Sequence, residues 1–337
     1  MTSREIIRRA IERERPARLP VIFDDFGVTD MVGIGVDLNP STLREGLEFD
    51  EWNCGWEKHP VVKNIGQVKV HPLKDLRDID RIVHPDWNAD RHWKKTPQAL
   101  ADAERNGKYV TGALTHLIFE RMQDLIGMEA VLENLLLDTP AMEALADRIL
   151  AVQFTYLENL ARRTGRRVHA IGMTDDWGTQ AASIISMDLW YKVFAPRYQR
   201  FFSRMHELGY HVWLHSCGKI NDVIQGFIDV GVDVVNLQQV NTLGIQEIGR
   251  RYQGKIAFWT LADIQNTLPK NDPALVDRDV DAIMTHWADP QGGVIFTDYG
   301  DDVSIGVGTK EIKRHMYRRF SDWSERMYGA PLPDMVQ

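Results

Sequence analysis

Cysteine is nearly absent. Cys54 and Cys217 are the only two thiols in 337 residues, too few for a disulfide scaffold and too few for a four-cysteine zinc knot. Any zinc here has to use histidine, cysteine and oxygen ligands. No apolar run reaches the roughly 18 residues of a membrane span, and no secretory leader is recognisable, so the expectation is a reduced, cytoplasmic protein with no membrane partner. Basic charge is also short. With 40 Lys and Arg against 48 Asp and Glu, the net charge of −8 argues against nucleic-acid binding, because phosphate neutralisation needs a basic face. No Pro/Gly/Ser linker, short repeat or GxGxxG fingerprint interrupts the chain, so residues 1–337 are expected to form one domain and not an open dinucleotide-binding sheet.

What the chain does have is alternation. Near the N-terminus Ile6, Ile7 and Ile11 mark one helical face, and the arginines around them are interleaved with Glu5, Glu12 and Glu14, which reads as a docked helix and not a basic arm. Leu19 to Phe23 is a short buried strand running into Asp24 and Asp25. A tryptophan-rich stretch follows, with a strand at Val68 to Val70 and breaks at Pro60, Pro72 and Pro85; it suits a cover over a cleft and completes an N-terminal part, 1–108. From 109 to 325 strands and helices take turns. The strands are Tyr109 to Ala113, Val168 to Met173, Tyr210 to His215, Val232 to Leu237, Ile256 to Thr260 and Val294 to Thr297. Helices are expected over Phe119 to Arg163 with a break at DTPAM, then Met187 to Leu208, Ile220 to Asp229, Ile245 to Tyr252, Pro273 to Trp287 and Lys310 to Trp323. Such βα units imply parallel pairing. Nearly every strand ends in polar residues, among them Thr115, His116, Asp175, Asp176, Gln239, Asp263 and Asp298, as at the C-terminal mouth of a TIM (β/α)8 barrel. Seven barrel strands are legible; the eighth is assumed.

The most informative stretch is YHVWLHSCGKI, Tyr210 to Ile220. His215 and Cys217 stand two apart at the end of an apolar strand, so they share a face, and Gly218 then breaks the strand where a site can open. An imidazole and a thiolate in one cleft are two ligands that zinc prefers. The spacing alone decides nothing: with 11 His and 2 Cys, about 0.07 accidental His-x-Cys pairs are expected. A core histidine beside a buried thiol is the plainer alternative.

Several ordered motifs are more specific than that pair. FDEWNCGW at 49–56, TDDWGTQ at 174–180, LWYKVFAPRYQRFF at 189–202, HVWLHSCGKI at 211–220, GVDVVNLQQ at 231–239 and the run at 261–276 resemble the uroporphyrinogen decarboxylase superfamily, which includes cobamide-dependent methyltransferases. The resemblance implies a TIM barrel. It is weaker toward the decarboxylase itself, which presents arginines after its first strand where this chain has Asp24 and Asp25; two carboxylates would repel a polyanionic tetrapyrrole. The methyltransferase branch is similar in its His-x-Cys zinc ligands, here His215 and Cys217. Its third ligand, a cysteine near the last strand, is missing from VIFTDYGDD, so Asp298 is expected in its place, with Asp301 or Cys54 next in line. Trp52 and Trp56 beside Cys54 favour a structural role for that thiol.

Asp175 and Asp176 alternate in direction, so one enters the barrel while the other caps a turn or helix. The expected catalytic residues are Asp175, Asp176 and Gln180, and the expected substrate-binding residues Asp24, Asp25, His116, Gln239 and Asp263, with Gln265 a further polar group. The resemblance implies Zn²⁺ and methylcobamide on a separate corrinoid protein, with a small thiol or oxygen substrate. A metal-free lyase, with Asp175 or Asp176 stabilising a protonated ring, and a non-catalytic binding barrel are the alternatives. Oligomeric state is open, a homodimer included.

Overall fold

The computed structural model describes residues 1–36, 41–62 and 66–336. The chain enters through β1 (Val21–Phe23), turns, and forms two short strands, β2 (Val28–Thr29) and β3 (Met31–Ile34). The tryptophan-rich stretch folds into an antiparallel sheet of β4 (Thr42–Arg44), β5 (Leu47–Phe49), β6 (Gly55–Glu57) and β7 (Gln67–Val70). The remaining strands are β8 (Tyr109–His116), β9 (Ala170–Thr174), β10 (His211–His215), β11 (Val234–Leu237), β12 (Ala257–Thr260) and β13 (Val294–Thr297). The large sheet runs β2-β1-β13-β12-β11-β10-β9-β8-β3.

Its two edges belong to one piece of chain. Asp30 alone separates β2 from β3; its N–H donates to the Val21 carbonyl at 2.7 Å and its carbonyl accepts from Tyr109 N–H at 2.9 Å. A V-shaped segment, antiparallel to β1 and parallel to β8, thus fills the eighth place and closes the barrel. The Asp30 carboxylate pins the corner by accepting from Arg18 at 2.6 and 2.7 Å and from Ser3 Oγ at 2.6 Å. Arms of two and four residues are too short to show period-two alternation, which explains why the eighth strand is not legible.

Alternation then sets what faces inward. Ile22, Tyr109, Ala170, Trp213, Val234, Ala257 and Ile295, one from each parallel strand, pack around Ile7 of the N-terminal helix Ser3–Glu12. That helix, held by a Thr2–Glu5 capping box, plugs the barrel floor. Two residues farther along β10 to β13, and four along β9, is the mouth. There Thr174 caps β9, His215 β10, Asn236 β11, Trp259 β12 and Thr297 β13.

Two expected helices are interrupted. The expected Phe119 to Arg163 helix is three, because Gly127 (φ 88°) breaks it as well as Asp138. The Met187 to Leu208 stretch splits at Phe194, where Pro196 in the next helix, Ala195–Glu207, cannot donate a backbone bond. Among the described residues no helix is long and apolar enough to cross a membrane.

Candidate metal centre

His215 ends β10 facing into the mouth, level with Thr174 of β9 and Asn236 of β11. Asn236 Nδ2 donates to the Trp259 carbonyl at 2.8 Å, which orients the amide so that its oxygen faces His215. His215 Nδ1 lies 2.7 Å from that oxygen and must therefore donate. The imidazole is left with an Nε2 lone pair, 3.1 Å from Cys217 Sγ and 3.6 Å from Asp176 Oδ1. Ligand atoms of Asp176, His215 and Cys217 all lie within 4.8 Å of one another, the only such triplet among the described residues.

Two loops make this convergence. After β9 the chain runs Asp175-Asp176-Trp177-Gly178, and after β10 Ser216-Cys217-Gly218. The loops are bonded at Asp175 N–H to His215 O (3.0 Å), Trp177 N–H to Ser216 Oγ (2.9 Å), Cys217 N–H to Asp176 Oδ1 (2.7 Å) and Lys219 N–H to Thr179 O (2.7 Å). Glycine is required on both sides. A Cβ on Gly178 would sit 2.6 Å from Lys219 N and 2.7 Å from the Cys217 carbonyl, and one on Gly218, at φ +82°, would overlap the Gly178 carbonyl. Burial, then the Asp176 charge, push the Cys217 thiol up, so without a cation it keeps its proton.

The other expected site residues are placed as follows. Asp175, expected among the catalytic residues, is built into the scaffold. It is fully buried and accepts from the backbone N–H groups of Ile118, Phe119 and Glu120 (2.7 to 3.1 Å) and from the Tyr198 hydroxyl, capping the helix Phe119–Ile126; burial raises its pKa against those donors. Asp263 is likewise fully buried and accepts from the N–H groups of Asn241, Gln265 and Asn266, so it serves the fold of this turn. Gln239 Oε1 accepts from Gly218 N–H at 2.7 Å, supporting the thiol loop. Gln180 and Gln265 are exposed on turns.

Asp298 stands outside the triplet. Fully buried Lys313 collects it at 2.8 Å together with Asp302 at 2.6 Å and Asp25, so these carboxylates form a separate cluster at the ends of β13 and β1. Asp176, from the loop after β9, and not Asp298, is the carboxylate that the fold brings beside His215 and Cys217. Burial pushes Asp298 up to about 7, although Lys313 pulls the other way. Asp301 accepts from Ser304 N–H at 3.3 Å in the same loop. Asp24 is exposed at the β1 end. Cys54 is buried with Sγ 3.5 Å from the Asp124 carbonyl, a packing role.

Sequence reasoning missed Glu120, Asp124, Arg121 and Asn236. Glu120 is half-buried near Asp176; Thr174 Oγ1 donates to it at 2.7 Å, and burial, with the Asp176 and Asp175 charges and against His116, brings it up to about 8. It also lies 3.7 Å from Nε2 of His116, whose Nδ1 is 2.6 Å from Asp124. Asn236 had a signal: a polar residue at an inward position of the apolar run VVNL. Glu120 had none beyond its place four residues after His116.

A family model, uroporphyrinogen decarboxylase (URO-D), matches residues 59–315, most of the chain. The chain belongs to the uroporphyrinogen decarboxylase (URO-D) family. The URO-D fold extends to a methyltransferase from Methanosarcina mazei, which superposes over 96% of this chain and 99% of its own at a TM-score of 0.67 with 13% identity. A D-psicose 3-epimerase is more distant, at a TM-score of 0.40 with 13% identity over 76% of this chain and 88% of its own. No curated protein sequence matches the chain significantly.

Two predictions follow from the loop and the cluster. Gly178→Ala should separate the loops at a cost of about 1–3 kcal/mol, read by denaturant unfolding, and should speed alkylation of Cys217; unchanged stability and reactivity would show that the contact is slack. Asp298 carries a raised folded-state pKa, so its stability penalty is absent below the unfolded value near 3.8 and complete above about 7. Asp298→Asn should therefore flatten the fall in melting temperature of metal-free protein between pH 4 and 7.

Proposed function

We propose that the chain is a zinc-dependent methyltransferase that moves a methyl group between methylcobamide on a separate corrinoid protein and a small thiol or oxygen substrate. The convergence of His215, Cys217 and Asp176 carries this reading. One nitrogen, one sulfur and one oxygen donor make a ligand set that zinc accepts, and three protein ligands are the number found in catalytic zinc sites. Ligands on a tetrahedral zinc stand about 3.3–3.8 Å apart, so the observed separations of 3.1 and 3.6 Å need only small shifts. When bound, the ion lowers the pKa of an acceptor thiol or hydroxyl and so supplies a nucleophile at neutral pH.

The chain's own residues do the rest. Asn236 fixes the His215 tautomer, as a partner behind a metal ligand should. Cys217 has to release its proton to ligate, which makes loading pH-dependent. Glu120, whose carboxyl burial pushes up in the metal-free chain, stands near the ligands and is placed to exchange a proton with a polar group there. The Methanosarcina mazei methyltransferase, with the same fold over nearly its whole length, agrees with the reading.

Elemental analysis of the purified protein should find about one zinc per chain, largely lost in His215→Ala, Cys217→Ser and Asp176→Asn and retained in Asp298→Asn. Full zinc in the first three variants would sink the assignment. Uroporphyrinogen should not be converted to coproporphyrinogen, because Asp24 is exposed at the rim while Lys313 spends its charge on three carboxylates; robust turnover would favour the decarboxylase reading instead.

A further inference from the structure

His116, Thr174 and His215 are register partners across β8, β9 and β10. Adjacent strands lie about 4.8 Å apart, so two spacings put His116 about 10 Å from His215 along the mouth. His116 also lines a cleft of about 410 Å³ whose walls include Trp52, Trp56, Trp87, Pro85 and Leu114. The cleft lies between the barrel rim and the tryptophan-rich sheet. Its size falls within the range of small-molecule sites.

We propose that this cleft holds the small substrate of the methyl-transfer reaction, and that the substrate is a flat, uncharged ring compound; the proposal rests on the metal-centre reading for its chemistry. The tryptophan faces favour a ring, since aromatic stacking adds to the area buried. Charge is excluded by how the cleft's ions are already used. Glu48 pairs with Lys58 and accepts from Ser41. Asp50 accepts from Trp52 N–H, Cys54 N–H and Trp56 Nε1, each at 2.9 Å. Arg121 is buried, 3.0 Å from Asp124 and 3.5 Å from Asp50, with its guanidinium 4.9 Å above the Trp52 ring. Asp124 is further committed to His116. Glu51 lies 4.0 Å from His92. Arg121 Nε lacks a hydrogen-bond partner and can serve the oxygen of a neutral ring; a ligand ion of either sign would lose its water and meet mostly committed partners, whereas a neutral ring loses little.

Calorimetric titration of the zinc-loaded full chain with 4-methoxyphenol, 4-methoxybenzoate and tetramethylammonium tests this. The neutral ring should bind, with each ion weaker by about tenfold or more, a difference of about 1.4 kcal/mol. Thr115 is exposed and lines the cleft, so Thr115→Trp should fill the space without disturbing the fold and weaken 4-methoxyphenol by about tenfold or more. His215→Ala should lose zinc and still bind the ring. Equal or tighter binding of either ion, unchanged affinity in folded Thr115→Trp, or no binding of the neutral ring by zinc-loaded protein would overturn the proposal. If the ring binds selectively but the wild type holds no zinc, the cleft stands and the metal reading fails.

Discussion

The contact on which the site depends is between two backbones. Gly178 and Gly218 press the loops after β9 and β10 so close that neither tolerates a Cβ, and this closeness delivers the Asp176 carboxylate to the Cys217 amide and thiol. Strand geometry alone would not do so. β10 ends at His215, and Cys217 lies beyond it, where alternation no longer dictates direction. Four hydrogen bonds between the loops, with Gln239 holding Gly218 from the β11 side, supply the direction that the strand does not.

The buried carboxylates divide by whether their lone pairs are taken. Asp175 and Asp263 are saturated by backbone donors and act as parts of the scaffold, one at a helix start and one in a turn. Asp25, Asp298 and Asp302 share one lysine, an arrangement whose net charge is relieved as pH falls below about 7, where burial lets Asp298 take up a proton. Asp176 is different. One backbone amide engages it, it is half-buried, and it faces a histidine nitrogen whose other side is already fixed. Unspent acceptor capacity beside an oriented imidazole separates a ligand from a scaffold carboxylate.

Much of the barrel was legible because inward apolar residues recur at period two and polar residues gather at the strand ends; β9 through β13 lie within a few residues of their expected positions. The His-x-Cys spacing was legible too, but the loop contacts, and not alternation, turn Cys217 toward His215. Alternation also required Asp175 and Asp176 to face different ways, and they do, but it could not say which one is saturated. That depends on the start of Phe119–Ile126, some 55 residues earlier in the chain. The expectation that Asp298 stands beside His215 and Cys217 was not met, on similar grounds. It assumed that a family cysteine is replaced at its own position, whereas Lys313, 15 residues later, claims that carboxylate and β9 provides another.

A third ligand beside β9 in place of one on β13, as proposed, would change what the mouth can hold. Ligands from the last strand and from β10 would lie across the barrel from each other and place an ion near its axis. With all three on β9 and β10, and Asn236 on β11 behind them, the proposed ion sits to one side. The side toward β12, β13 and β1 stays free of ligands, walled by Trp259 and the Lys313 cluster, while the tryptophan-rich cleft opens beside β8. A substrate and a broad macrocyclic donor need separate approaches to one ion if a methyl group is to pass between them, and an off-axis ion between two open regions meets that need. Replacing sulfur by oxygen leaves the ligand charge unchanged, one thiolate and one carboxylate in place of two thiolates, so the shift alters geometry and softness more than electrostatics.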